Sequence, residues 1–220
     1  MTDGASSIRE VLRVSVGVTA AYSVALWGLY IQPQLLIPLV DRYKVTDAEI
    51  GQVFGVENFV YFVAILMVTV AVTKYSRTRM ALLGTILIVV GNVASASEYA
   101  GGLPALAVFR AIVSIGGGLI SGAASAAAAG SRHPERTFAL AGVMSSLVFA
   151  VGYAVIPILL ESYGVEAVYL SVAAFGVLAA PAYYTLLAPV RSDAAERGFL
   201  EILRAAPYRL LAISAMSGLF

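Results

Sequence analysis

Cysteine is absent from this 220-residue chain, which excludes disulfides, thiolate metal sites and cysteine nucleophiles. Histidine occurs once, as His133 in the polar stretch 131–137, and reads as a solvated loop residue rather than a metal ligand. Charge is scarce: 12% of residues are Asp, Glu, Lys or Arg, against about 25% in an ordinary soluble domain. Such a chain lacks the polar surface to face water on all sides. The net charge of +1 leaves no electrostatic footprint for nucleic acid. No glycine-rich phosphate loop follows a strand, and no HExxH or G-x-S-x-G stands in the chain, so nothing points to an enzyme, a metal or a cofactor.

Hydrocarbon is what the chain has. Sixty per cent of its residues are hydrophobic, with a mean hydropathy of +0.88. A bilayer core of about 30 Å takes roughly 20 apolar residues in a helix. Six runs meet that within a few residues: 14–40, 50–72, 80–97, 103–130, 139–160 and 165–187. Lipid offers no partner for backbone groups, so the runs are expected to be helices. They show no period-two alternation, which argues against a barrel. Residues 1–13 are polar and mixed in charge, and the run after them is too long for a cleaved signal, so it is expected to stay as the first span. Short polar stretches, 41–49, 73–79, 98–102, 131–137 and 161–164, join the runs. Asp47 is expected to cap the second helix, and Pro134 and Glu135 suit a first helical turn.

Lys and Arg set the expected sidedness. Arg9, Arg13, Lys74, Arg77, Arg79, Arg132, Arg136, Arg191, Arg197, Arg204 and Arg209 fall on one side. The other side has Arg42 and Lys44, with Glu98, Glu161 and Glu166. The expectation is a multi-pass protein of the cytoplasmic (plasma or inner) membrane with its N-terminus inside. After residue 187 the composition changes. Residues 191–209 mix four arginines with acidic residues and the apolar patch Phe199, Leu200, Ile202 and Leu203, the pattern of an amphipathic helix on the cytoplasmic face. Residues 210–220 turn apolar again, a stretch too short to span. The expected organisation is a six-helix transmembrane domain over 1–189, a cytoplasmic amphipathic loop over 190–209, and the start of a seventh helix over 210–220, cut within that span.

Two charges lie deep in the runs: Glu57, beside Asn58, and Arg110. Each is costly in lipid unless it meets a partner or water. Glu57 lies about nine residues from its helix's outer end and Arg110 about seven, so at ~1.5 Å per residue their depths differ by a few ångströms. An ion pair is allowed, either purely structural or sensitive to solute or protons. Arg110 is also near enough to the outer interface to snorkel. In the first run Trp27, Tyr30 and Gln34 share a face, next to Gln32 and Pro33; they are candidates for solute contact or interfacial anchoring. Asn92 suits an interhelical hydrogen bond, and Ser145, Ser146, Phe149 and Tyr153 form a mixed face. Ser114, Gly118, Gly122, Ala126 and Gly130 make a small-residue stripe suited to close helix packing.

Arg110-Ala-Ile-Val-Ser114-Ile-Gly116 is similar to the Arg-x-x-x-Gly-x-Gly found on the fourth helix of major facilitator superfamily (MFS) transporters, with Ser114 for the first glycine. Thr69, Thr73, Lys74, Tyr75, Ser76, Arg77, Thr78 and Arg79 align with that family's Gly-x-x-x-Asp-(Arg/Lys)-x-Gly-(Arg/Lys)-(Arg/Lys). The basic residues are kept, while the glycines and the aspartate are replaced. The whole layout resembles the N-terminal six-helix half of such a transporter. The resemblance implies an all-α membrane bundle of two inverted three-helix repeats, echoed faintly by Gly55-Val56 with Phe62 against Gly142-Val143 with Phe149. It implies secondary active transport of a small solute, as symporter or antiporter, with a first helix that lines a central cavity. It assigns Lys74, Arg77 and Arg79 to a cytoplasmic gating loop and calls for a missing C-terminal six-helix half. Coupling to protons through Glu57 and Arg110 fits this reading. The alternative is a non-transporting six-span binding or scaffold protein.

Overall fold

The computed structural model describes residues 2–72, 75–97 and 101–186, with backbone alone at 2–7 and 69–71. Readings made for Thr73, Lys74, Glu98 and everything from 187 to 220 lie outside the described residues, as do those for the side chain of Thr69. Among the described residues the regular structure is all helical, in the order α1 (Thr2–Tyr30), α2 (Gln32–Tyr43), α3 (Asp47–Ala71), α4 (Arg77–Ala96), α5 (Leu103–Ala129) and α6 (Pro134–Ala179), then a 3-10 helix (Ala180–Leu186). Among the described residues five stretches are long and apolar enough to cross a membrane: Ile8–Tyr30, Asp47–Val68, Arg77–Ala96, Leu103–Ala129 and Pro134–Leu186.

The first run differs from expectation. It is not one helix over 14–40 but two, broken at Ile31. Pro33 carries no N–H to continue the ladder. The N–H groups of Gln34 and Leu35 both turn back to the Ile31 carbonyl, at 3.0 and 3.1 Å. The next helix also starts differently: Asp47 is its first residue and Thr46 is its cap. The Thr46 hydroxyl accepts from Glu49 N–H at 3.3 Å, while the Glu49 carboxylate accepts from Thr46 N–H at 2.9 Å. This reciprocal box satisfies two end donors, which Asp47 alone would not. Helix α4 begins at Arg77, so Arg77 and Arg79 are helical rather than part of a loop. Pro134 and Glu135 do occupy the first turn of α6.

The expected loop 161–164 shrinks to one residue. Gly164 (φ 77°, ψ −174°) is the non-helical point inside α6, and that left-handed φ suits glycine. There α6 doubles back on α1. On the first arm, Ser15 donates to Thr137 O at 3.4 Å and Thr19 to Ala141 O at 3.5 Å. On the returning arm, Gly176 approaches Val24 and, in the 3-10 helix beyond it, Thr185 lies against Gly17. The chain thus leaves the level of Ser15 and returns to that of Gly17.

Helix α5 is the centre of the packing. Successive residues of a helix point about 100° apart, and three successive glycines of α5 each admit a different neighbour. Gly116 faces Gly84 and Ile88 of α4; Gly117 faces Ala25 of α1 and the Tyr61 ring; Gly118 faces Ala64 of α3. The stripe continues with Gly122 against Val68. A Cβ on Gly84 would lie 2.5 Å from the Gly116 carbonyl oxygen, so the α4 and α5 backbones touch. Small residues permit such contact in lipid. Hydroxyls add polar ties, with Tyr61 to Ser121 at 2.7 Å and Tyr22 to Ser125 at 2.8 Å.

This packing makes a contrast testable by thermal unfolding in detergent. Gly84→Val should destabilise the bundle by about 1–3 kcal/mol, the usual cost of overpacking. Gly55→Ala should leave the midpoint unchanged or raise it, because a Cβ there meets nothing within 4 Å and alanine favours helix by up to about 1 kcal/mol.

Candidate functional site

The two intramembrane charges meet. Glu57 of α3 and Arg110 of α5 are 1% and 2% exposed, and Arg110 Nη2 donates to Glu57 Oε1 in a salt bridge. Arg110 therefore does not snorkel. Its Nη1 donates to Asn92 Oδ1 of α4 at 3.1 Å, and Asn92 Nδ2 is anchored on Ile88 O at 2.8 Å. The guanidinium also lies over the Tyr169 ring, 5.2 Å from its centroid, a favourable placement for a desolvated cation. The second carboxylate oxygen, Glu57 Oε2, accepts from Gln32 Nε2 at 3.1 Å. Gln32 Oε1 accepts in turn from Asn58 Nδ2 at 3.2 Å, and Asn58 is exposed. A polar chain thus runs from the surface at Asn58 through Gln32 and Glu57 to Arg110 and Asn92.

Local sequence explains how these side chains fit. Gly28 of α1 leaves room for the pair: a Cβ there would lie 2.8 Å from Arg110 Nη2 and 3.3 Å from Glu57 Oε1. Four residues later Gln32 opens α2 on the same face. Removing either partner would leave an uncompensated buried charge, which in protein interiors costs about 3–5 kcal/mol.

Trp27, Tyr30 and Gln34 do not join this cluster; Tyr30 and Gln34 face the first arm of α6, and Trp27 faces both arms. Trp27 lies between Phe149 and Phe175, with ring centroids 6.1 and 5.3 Å away. Tyr30 stacks on Phe149 at 4.3 Å, and Gln34 Nε2 donates to Tyr153 O at 3.1 Å. Gly152 admits the indole edge. Two open, largely apolar clefts of about 500 Å³ flank this face, one floored by Trp27 and Phe175, the other lined by Tyr30, Ser146, Phe149 and Tyr153. The two candidate groups therefore occupy different faces of α1 and α2.

Arg77 and Arg79 diverge as well. Arg79 is exposed. Arg77 is 9% exposed, with its guanidinium against Gly130 at the C-terminal end of α5, where a cation complements the helix dipole. Three contributors were not singled out by sequence reasoning: Gln32 as a ligand of Glu57, Gly28 as clearance, and Tyr169 as the cation's ring. The Gly28–Gln32 spacing marks a common face, whereas nothing local to Tyr169 announces its partner.

Gly28→Val should push the guanidinium aside and destabilise the fold by about 1–3 kcal/mol, measured by thermal unfolding, with Gly28→Ala milder because a single methyl intrudes less.

No curated protein matches the chain closely enough to count as a relative. The sequence pattern described as Major Facilitator Superfamily matches residues 18–220. Members of that family are transporters rather than enzymes. The apolar helices are those of a multi-pass integral membrane protein. With nearly its whole length matched and a helical bundle built to suit, this chain belongs to the Major Facilitator Superfamily.

Proposed function

We propose that the chain works as the N-terminal six-helix half of a secondary transporter that moves a small solute across the cytoplasmic membrane by alternating access. The Glu57–Arg110 pair is its proton-sensitive element. The observation that carries this reading is the full burial of that pair, joined to an exposed amide through Gln32. Lipid-embedded ionisable groups are expensive to keep and mark sites of function. The six-span count is supported by the return of α6 at Gly164, since each arm is long enough for a bilayer core of about 30 Å. Two inverted three-helix repeats would then make up the transmembrane domain.

An inward N-terminus is supported by the gathering of basic residues at one end. Arg132 bonds Glu10 at 3.1 Å, and Arg77 lies against Gly130 nearby in sequence. Lys74, Arg77 and Arg79 would then act at the cytoplasmic gate, with Arg77 doing so as a fixed post. Trp27, Tyr30 and Gln34 form the wall offered to the solute. Tyr30 and Tyr153 are about half exposed, and stacked rings with amides suit a small organic solute.

The test uses the full-length protein in liposomes loaded with the pH dye pyranine and challenged with a panel of candidate solutes. Solute addition should move protons in the native protein, and Glu57→Gln should abolish that movement. Undiminished pH-driven accumulation in Glu57→Gln would contradict proton coupling through this pair.

A further inference from the structure

Glu57 is held at both oxygens, and the two holders differ in kind. Oε1 meets Arg110, itself pinned by Asn92 of α4 and the Tyr169 ring of α6. Oε2 meets Gln32, a half-buried side chain at the first position of α2, next to the break at Ile31 and before Pro33. One side of the carboxylate is therefore fixed by the bundle core. The other is closed by an uncharged amide at a backbone discontinuity. That amide faces outward as well, because its oxygen accepts from Asn58 Nδ2, which also donates to Phe54 O at 2.8 Å. Among the described residues, this is the hydrogen-bonded route by which Glu57 reaches the surface.

We infer that Gln32 is the positioning residue that shuts Glu57 off from aqueous protons and opens it when the Asn58 amide is engaged from outside. The inference rests on the proton-coupled reading above. A solute oxygen that takes over Asn58 Nδ2 releases Gln32. The Gln32 amide then turns away, and Oε2 loses its donor. That leaves Oε2 open to water entering where the Gln32 amide had stood. The proton comes from cavity water and binds Oε2; Arg110 keeps its charge, and no other bond is made or broken. The groups facing Glu57 are Arg110 from α5, Gln32 from α2 and, across the guanidinium, Tyr169 from the second arm of α6. Arg42 and Tyr43 are the next charged or titratable groups toward Tyr169. None of these can supply the proton as readily as water reaching the vacated Gln32 position.

The test needs no identified solute. Dicyclohexylcarbodiimide reacts with protonated carboxyls in apolar surroundings, and mass spectrometry reports modification at Glu57 against pH in the full-length protein. Gln32→Met keeps the length of the side chain and removes both hydrogen bonds. It should raise the rate of Glu57 modification at pH 7 about tenfold, a change equivalent to about 1.4 kcal/mol. Asn58→Ala, which leaves Gln32 in place, should raise the rate by less. A residue that merely packs would leave the rate unmoved at every pH. Identical profiles in native protein and Gln32→Met would overturn the role of Gln32 while leaving proton coupling intact. No modification of Glu57 from pH 4 to 9 in either protein would overturn the proton-coupled reading and this inference with it.

Discussion

An arginine and a glutamate sit side by side where water does not reach, and the remaining structure accommodates that fact. Each charge alone would have to drag water or headgroups into the apolar bundle. Together they cancel, provided that every remaining polar edge also finds a partner. Asn92 takes one guanidinium nitrogen, the Tyr169 ring takes its face, and Gln32 takes the free carboxylate oxygen. Helices α2, α3, α4 and α5 and the second arm of α6 thereby contribute to one electrostatic centre, while α1 contributes empty space at Gly28.

Such a centre demands close, rigid walls, and small residues supply them. The glycines at 116, 117 and 118 bring three helices against α5, and Gly84 lets the α4 backbone reach that of α5. Lipid gives no hydrophobic drive for helices to associate, so contact must come from shape and hydrogen bonds. The aromatic seam between α1 and α6 is of another character. Trp27, Tyr30 and Phe149 pack as rings whose faces remain partly open. A fixed electrostatic core thus stands beside an open aromatic wall.

Much of this was legible in the sequence because lipid narrows the choices. Runs of apolar residues had to be helices, and the matched depths of Glu57 and Arg110 allowed their pairing. The small-residue stripe of α5 foretold close contact, and Gly118 and Gly122 make it. The misreadings share a cause: one-residue decisions at helix ends. Pro33 splits the first run because one missing N–H outweighs continuous hydrophobicity. Thr46 displaces Asp47 as cap because Glu49 stands three residues on to complete the box. Gly164 turns α6 alone, where the polar stretch 161–164 suggested a longer loop. Gln32 and Tyr169 could not be read as partners of the pair, since their contacts join residues 25 and 59 positions apart and depend on which helix faces which.

Whether Glu57 and Arg110 stabilise the bundle as a unit is decided by a double-mutant cycle on unfolding free energy in detergent. Glu57→Gln, Arg110→Met and the double variant complete the cycle with the native protein. The double variant should be more stable than the sum of the two single losses implies, by a coupling of about 1–3 kcal/mol. Losses that add to within about 0.5 kcal/mol would contradict it, leaving two independent side chains where the structure places one pair.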